Sequence, residues 1–367
     1  MRLNRSLIKS SLGTLVLMLL ILALTNAACS GKGATSSPTV GTQTTPAIAG
    51  TPSITPGGDY SKLSGNINVD GSSTVFPITE AVAEEFGRLT KGNVRITVGV
   101  SGTGGGFKKY CNGETDISDA SRPITPTEVN ACAAKGIEYL ELPVAIDGLT
   151  VTVNPRNNFV QCLTVNELRT VWEPAAEGKV TRWSQVRPGF PNVPVRLYGP
   201  GVASGTFDYF TEAINGKAGA SRGDYTASED DNVLIQGVAG DQNALGFFGY
   251  AYYVQNKDRL KAVAIDGGKG CVLPTQETIN NGNYTPLSRP LFIYVRKDAA
   301  RPQIKEFVRY YLGASGRDLV GKVGYIPFPA RAYELALGRF EKGTAGSLFG
   351  GSNPQKGSVE EVLSRNP

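Results

Sequence analysis

Apolar residues recur along this chain in two interleaved rhythms. Val94, Ile96, Val98 and Val100 alternate with other residues at period two, which predicts a strand over 94–100. Just before it, Ile78, Val82, Phe86 and Leu89 fall at helical spacing and predict an amphipathic helix over 78–89. Leu149, Val151 and Val153 predict a further strand, broken by Asn154-Pro155. Leu291 to Val295 predicts another, followed by a helix carrying Ile304, Phe307, Val308, Tyr311 and Leu312. Polar residues mark two helix starts. Thr125-Pro126-Thr127-Glu128 and Thr164-Val165-Asn166-Glu167 are capping boxes, and Gly136 closes the first helix. Strand and helix alternate throughout, so the expected class is α/β, with ligands held at the carboxyl ends of strands.

The rhythm fails at both ends. Arg2, Arg5 and Lys9 precede an apolar run, Leu12 to Leu24, interrupted only by Gly13 and Thr14. That run is short for a membrane span and small residues follow it, so residues 1–28 read as an export signal. Asn26-Ala27-Ala28-Cys29 resembles a lipobox, with Asn26 where Leu is usual. Lipidation of Cys29 would anchor the protein to a membrane, in the periplasm or at the cell surface. Residues 29–63 are rich in Gly, Ser, Thr and Pro and poor in large apolar side chains, which predicts a flexible tether. What remains is about 300 residues, suited to two α/β domains rather than one small core. Residues 344–367 are again rich in Gly and Ser and are expected to form a loosely attached tail.

Composition then removes whole classes of chemistry. The formal net charge is +5, and losing Arg2, Arg5 and Lys9 with the signal leaves +2. No basic block stands out, so nucleic acid is not an expected partner. The chain has no histidine, which excludes His-dependent triads, His metal sites and imidazole acid–base steps. No enzyme activity, metal or cofactor is expected. Beyond Cys29 stand Cys111, Cys132, Cys162 and Cys271, none in a CxxC pair. An even count in an exported chain predicts two disulfides, with three connectivities open.

Three segments share one design, a strand, a turn of Gly, Ser or Thr, then a helix. They are Val69-Asp70-Gly71-Ser72-Ser73-Thr74-Val75-Phe76-Pro77, then Val100-Ser101-Gly102-Thr103-Gly104-Gly105-Gly106-Phe107, then Leu197 to Phe207 through Ser204-Gly205-Thr206. Free N–H groups at a helix start, with hydroxyls beside them, suit an oxyanion. Each segment alone would read as an N-capped helix; three in one exported chain argue for an anion site. The second lacks the last glycine of GxGxxG, and neither GxxxxGK[ST] nor GxSxG occurs. In Asp116-Ile117-Ser118-Asp119-Ala120-Ser121-Arg122-Pro123, Arg122 offers a planar donor fork that matches two oxygens of a tetrahedral anion.

DGSSTVFPITEA, GVSGTGGGFKKYCNGETDISDASRPI, PVAIDGLTVTVNP and the SGTF segment resemble the phosphate-binding component of bacterial phosphate ABC transporters, the PstS/SphX-like proteins. The resemblance runs from Gly65 to about Gly343. It implies a two-lobed periplasmic-binding-protein fold of the type 2 kind, monomeric, with two crossovers near 147–153 and 285–291. Lobe I would hold 64–150 and 287–343, and lobe II 151–286. Such a protein closes on inorganic phosphate and delivers it to the permease subunits of an ABC importer. Another tetrahedral oxyanion, sulfate or molybdate, or a non-transport surface or sensor role, is the alternative.

Carried over by position, Ser73, Thr74 and the Val75 amide fall in the first anion loop, and Ser101 and Thr103 in the second. Ser121 and Arg122 follow, and Ser204, Gly205 and Thr206 fall in the third loop, on the opposite lobe. Arg122 stands where the family usually has Asp, and Pro200 where it has Arg, so the arginine has changed lobes. The resemblance therefore predicts a clamp of Arg122 against the Ser204 turn, with Asp119 or Asp147 as carboxylate acceptor. That acceptor matters because phosphate carries a proton near neutral pH and sulfate carries none, so a buried carboxylate faces a bare lone pair when sulfate enters. Lobes that close also constrain the cysteines. Pairs Cys111–Cys132 and Cys162–Cys271 each stay within one lobe, whereas a bridge between lobes would hinder closure.

Overall fold

A computed structural model describes residues 59–202, 204–349 and 358–365. The expected export signal, Cys29 and most of the tether lie outside the described residues. The first half carries β1 (Gly65–Gly71), α1 (Phe76–Leu89), β2 (Val94–Val100), α2 (Gly102–Cys111), β3 (Ile117–Ala120), α3 (Pro126–Ala134) and the long β4 (Tyr139–Val153). Then come β5 (Cys162–Thr164), α4 (Val165–Trp172), β6 (Arg196–Gly199), α5 (Gly205–Asn215), β7 (Thr226–Ala227), α6 (Asp231–Gly240) and β8 (Ala244–Gly249). They are followed by α7 (Tyr250–Gln255), β9 (Lys261–Ala262), β10 (Ala264–Asp266), β11 (Cys271–Val272) and α8 (Gln276–Asn280). The chain returns through β12 (Ser288–Arg296), α9 (Pro302–Leu312), α10 (Ala314–Lys322), α11 (Ala330–Lys342) and α12 (Val359–Arg365).

One curled sheet runs in the order β2-β1-β3-β12-β4-β8-β6-β7, with β9 also on β4, and a small sheet runs β11-β10-β5. All fifteen residues of β4 are buried, as expected of a strand covered on both faces. β4 joins two half-sheets by changing partner. It pairs antiparallel with β12 up to Gly148↔Ser288 and with β8 from Leu149↔Gly249 onward. The sequence pattern showed only the last third of this strand, because Glu141 and Asp147 interrupt its apolar run.

Both capping boxes form, with Thr125 and Thr164 accepting from the amides of Glu128 and Glu167. On α1 the residues at helical spacing, Ile78, Val82 and Phe86, are fully buried. Phe86 meets Phe307 of α9 edge-on at 5.5 Å. In the other half-sheet Phe210 stacks on Phe247 at 3.7 Å, and Trp172 stands edge-on to both. Such aromatic packing holds α5 rigidly against its sheet. The disulfides are Cys111–Cys132, between α2 and α3, and Cys162–Cys271, between β5 and β11.

The expected loose tail is corrected in its described parts. Gly346 bridges to Leu140, Leu348 and Phe349 are buried, and α12 packs on α11 through Val359, Val362 and Leu363. The cause is Glu141, which is fully buried and so requires donors. Its carboxylate accepts from Tyr294 Oη at 2.6 Å, Ser347 Oγ at 2.8 Å, and the amides of Leu348 at 2.6 Å and Phe349 at 3.1 Å. Gly and Ser around these two apolar residues hid the anchor from a compositional reading.

Candidate functional site

Parallel β1, β2 and β3 end at Gly71, Val100 and Ala120, and β12, antiparallel to β3, starts beside those ends. The loops leaving β1, β2 and β3, the first turns of α5 and the first residues of β12 enclose a cavity of about 220 Å³. It is lined by Ser72, Ser73, Thr74, Gly102, Thr103, Gly104, Ser121 and Arg122 from one half, and by Asp208, Glu212 and Ala218 from the other, with Arg289. A larger groove of about 620 Å³ between α1 and β2 is lined by apolar and glutamate side chains with no cation, which does not suit an anion.

The first loop touches α5 directly. Thr74 Oγ1 donates to the Gly205 carbonyl at 3.3 Å, and Ser73 Oγ donates to Asp208 Oδ2 at 3.2 Å. A Cβ on residue 205 would lie 2.7 Å from the Thr74 Cα, so only glycine permits this approach. Ser204 caps α5 by accepting from the Thr206 amide at 3.2 Å. The Ser204-Gly205-Thr206 turn therefore borders the first loop, while the lining residues of α5 lie further along it. The Val75 side chain is fully buried and its amide donates to the Ser72 carbonyl at 3.2 Å.

The second and fourth segments meet through Thr103 and Ser121, whose hydroxyls lie 3.1 Å apart. Ser101 turns away from the cavity and donates to Asp70, which Lys109 also engages at 2.6 Å. Arg122 lines the cavity, but its fork is held by Glu128 of the α3 capping box, with two contacts of 2.8 Å. Nη1 also donates to the Pro123 carbonyl at 3.1 Å, which leaves Nε–H and one Nη2–H for other acceptors.

Sequence reasoning missed Arg289. It lies opposite Asp147 in the β12–β4 register and is only 6% exposed. Its Nη1 donates to Glu212 Oε2 at 3.2 Å and its Nη2 to Thr74 Oγ1 at 3.3 Å. Its Cζ sits 3.6 Å from the Tyr209 ring centre. Nε is 3.7 Å from Asp147 Oδ2, and neither of those atoms has a hydrogen-bond partner among the described residues. Nη1 and Nη2 each keep one further N–H beyond these long contacts, which leaves this guanidinium able to bind an anion. A charged residue at the head of an apolar strand was the available signal.

The carboxylates divide by position. Asp147 lies behind Arg289, and burial pushes its carboxyl up to about 6 against the pull of Arg289. Asp119 does not line the cavity, although its carbonyl accepts from the Ser72 amide at 3.0 Å. Burial pushes its carboxyl up to about 8, with Thr79 opposing and Asp70 adding to the shift. Asp208 lines the cavity, and its carboxyl is raised by burial and by Glu212, against Ser73 and Arg289.

The raised Asp119 carboxyl has a measurable consequence. Between 3.8 and about 8 the folded chain keeps a proton that the unfolded chain has lost, so stability falls as pH rises through that window. Asp147 is pushed up only to about 6, so between about 6 and about 8 the decline should follow Asp119. Urea unfolding across that upper range is expected to show a fall of up to about 1.4 kcal/mol per pH unit in the wild type. In Asp119→Asn that fall should be largely removed.

Loops at the carboxyl ends of parallel strands, gathered between two half-sheets that share one long strand, define a two-lobed α/β binding protein. The chain belongs to the PBP superfamily, whose domain matches residues 32–315. Within it, the chain groups with the SphX and PstS proteins. It is 52% identical to Protein SphX of Synechocystis sp. over 83% of this chain and 91% of that one. It is 39% identical to the phosphate-binding protein PstS of Staphylococcus saprophyticus over 75% of this chain and 84% of that one. Among solved structures, a possible phosphate binding protein from Planctomyces limnophilus is 53% identical and superposes with a TM-score of 0.74, covering 77% of this chain and 99% of that one. An ABC-type phosphate transport receptor from Vibrio cholerae shares the fold at 24% identity, with a TM-score of 0.56, covering 71% of this chain and 99% of that one.

Proposed function

We propose that this protein captures inorganic phosphate outside the plasma membrane and delivers it to the permease subunits of an ABC importer, held at the membrane through a lipidated Cys29. The observation that carries the reading is the small cavity where Arg122, Arg289 and the hydroxyls of Ser73, Thr74, Thr103 and Ser121 converge. Two guanidiniums and several hydroxyls are the donor set a tetrahedral oxyanion requires. The kinship with phosphate-binding proteins points to the same ligand. Carboxylates in the same cavity favour an oxyanion that brings its own proton. Titration calorimetry should therefore show phosphate binding, with sulfate weaker by roughly a hundredfold, the scale of leaving a buried acceptor against a bare oxygen. Equal affinity for the two anions would defeat the selectivity argument.

A further inference from the structure

The cavity is lined by as many carboxylates as cations, and two others stand behind its arginines. Arg122 is matched by Glu128 in a bidentate pair, and Arg289 is backed by Asp147 on the neighbouring strand. Two further carboxylates, Asp208 and Glu212, line the same space from the first and second turns of α5. Asp208 is half-buried inside, and Glu212 stands at the rim with 51% of its side chain exposed. Against two arginines stand four carboxylates, an unusual balance for a site that takes an anion.

Hydrogen-bond capacity explains the balance. An ionised carboxylate can accept about four hydrogen bonds. Asp208 accepts one from Ser73 Oγ, and Glu212 accepts one from Arg289 Nη1. Both line the cavity and keep acceptor capacity, which an oxyanion can use only through O–H groups of its own. A fully deprotonated anion would set bare oxygens against them.

Resting on the phosphate reading above, we propose that the cavity takes phosphate as its monoanion, with Asp208 and Glu212 each accepting a hydrogen bond from one of the anion's two hydroxyls. The two remaining oxygens face Arg122 and Arg289 with the hydroxyls of Thr74, Thr103 and Ser121. Two acceptors and two cations then match the four oxygens of dihydrogen phosphate. The dianion offers one hydroxyl fewer and one charge more, and is disfavoured on both counts. The other titratable groups around this pair are Glu128 beside Arg122, Asp147 behind Arg289, and the phenols of Tyr209 and Tyr325. Burial first, then neighbouring carboxylates, push both phenols above their usual range, so they stay neutral.

The test is titration calorimetry with inorganic phosphate at pH values on either side of its second pKa, in two buffers of different ionisation enthalpy. Above that pKa the competent monoanion becomes tenfold rarer per pH unit, so apparent affinity should fall about tenfold per unit. One proton should be taken up for each anion bound. Asp208→Asn and Glu212→Gln should each flatten that slope and tighten binding on the alkaline side by several-fold, because each removes a charge that repels the dianion. An affinity unchanged across the second pKa in the wild type, with no proton uptake, overturns the monoanion assignment while leaving phosphate capture standing. Variants that keep the wild-type slope overturn the roles of Asp208 and Glu212. No binding of phosphate at any pH would instead remove the functional reading itself, and the present inference with it.

Discussion

Arg289→Ala is expected to weaken phosphate binding by roughly tenfold to a hundredfold and to destabilise the fold by about 3 kcal/mol or more. Both effects follow from where the guanidinium lies. It is buried between Asp147 on β4, Thr74 in the loop after β1, and Glu212 and Tyr209 on α5. Its removal takes a cation from the cavity, and a charge-assisted hydrogen bond contributes about 1.5–3 kcal/mol. It also leaves the Asp147 carboxyl, 2% exposed, without the cation beside it, and breaking a buried pair is costlier than never having built it. The two effects can be separated. Adding Asp147→Asn to Arg289→Ala should recover most of the stability in urea unfolding and none of the affinity in calorimetry. If Arg289→Ala binds phosphate as tightly as the wild type, Arg289 is a structural ion-pair partner only.

Glu141→Ala should have the largest effect on stability alone, about 3 kcal/mol or more, because it strands two buried backbone donors and two hydroxyls together. The Leu348 and Phe349 amides, Ser347 Oγ and Tyr294 Oη all donate to this one carboxylate. Glu141 lies far along β4 from Asp147, so phosphate affinity should be unchanged once the variant is folded. Release of the 344–349 segment can be followed by limited proteolysis, with cleavage appearing there before global unfolding. A variant that keeps wild-type protease resistance and midpoint would show that apolar burial of Leu348 and Phe349 alone holds the segment.

Much of this protein was legible from local pattern. The helix at 78–89 and the strand at 94–100 follow from apolar spacing, since a side chain's face depends only on its position along its own element. The capping boxes at Thr125 and Thr164 were readable for the same reason: both partners lie within one turn. The cysteine pairing followed from the two closing lobes that the family resemblance implies, since a bridge between them would hinder closure. The three Gly, Ser and Thr turns that open helices stood out by composition, and two of them line the cavity.

What local pattern could not decide was which charges meet. Arg122 was expected to reach for the anion, yet its fork is held by Glu128, six residues on, whose role in the capping box had seemed complete. Asp208 and Glu212 belong to no motif, and only the packing of α5 brings them to the cavity. Arg289 lies 215 residues beyond Thr74 and reaches it only because antiparallel β12 inserts between β3 and β4 and so begins where the parallel strands end. The sequence by itself determined many of the elements and the α/β class, because those depend on periodicity and capping, and the family resemblance of its motifs pointed to the kind of ligand. The tertiary structure decided which charges meet at the cavity, because Coulomb and hydrogen-bond partners are chosen by distance through space, which strand order sets and sequence separation does not.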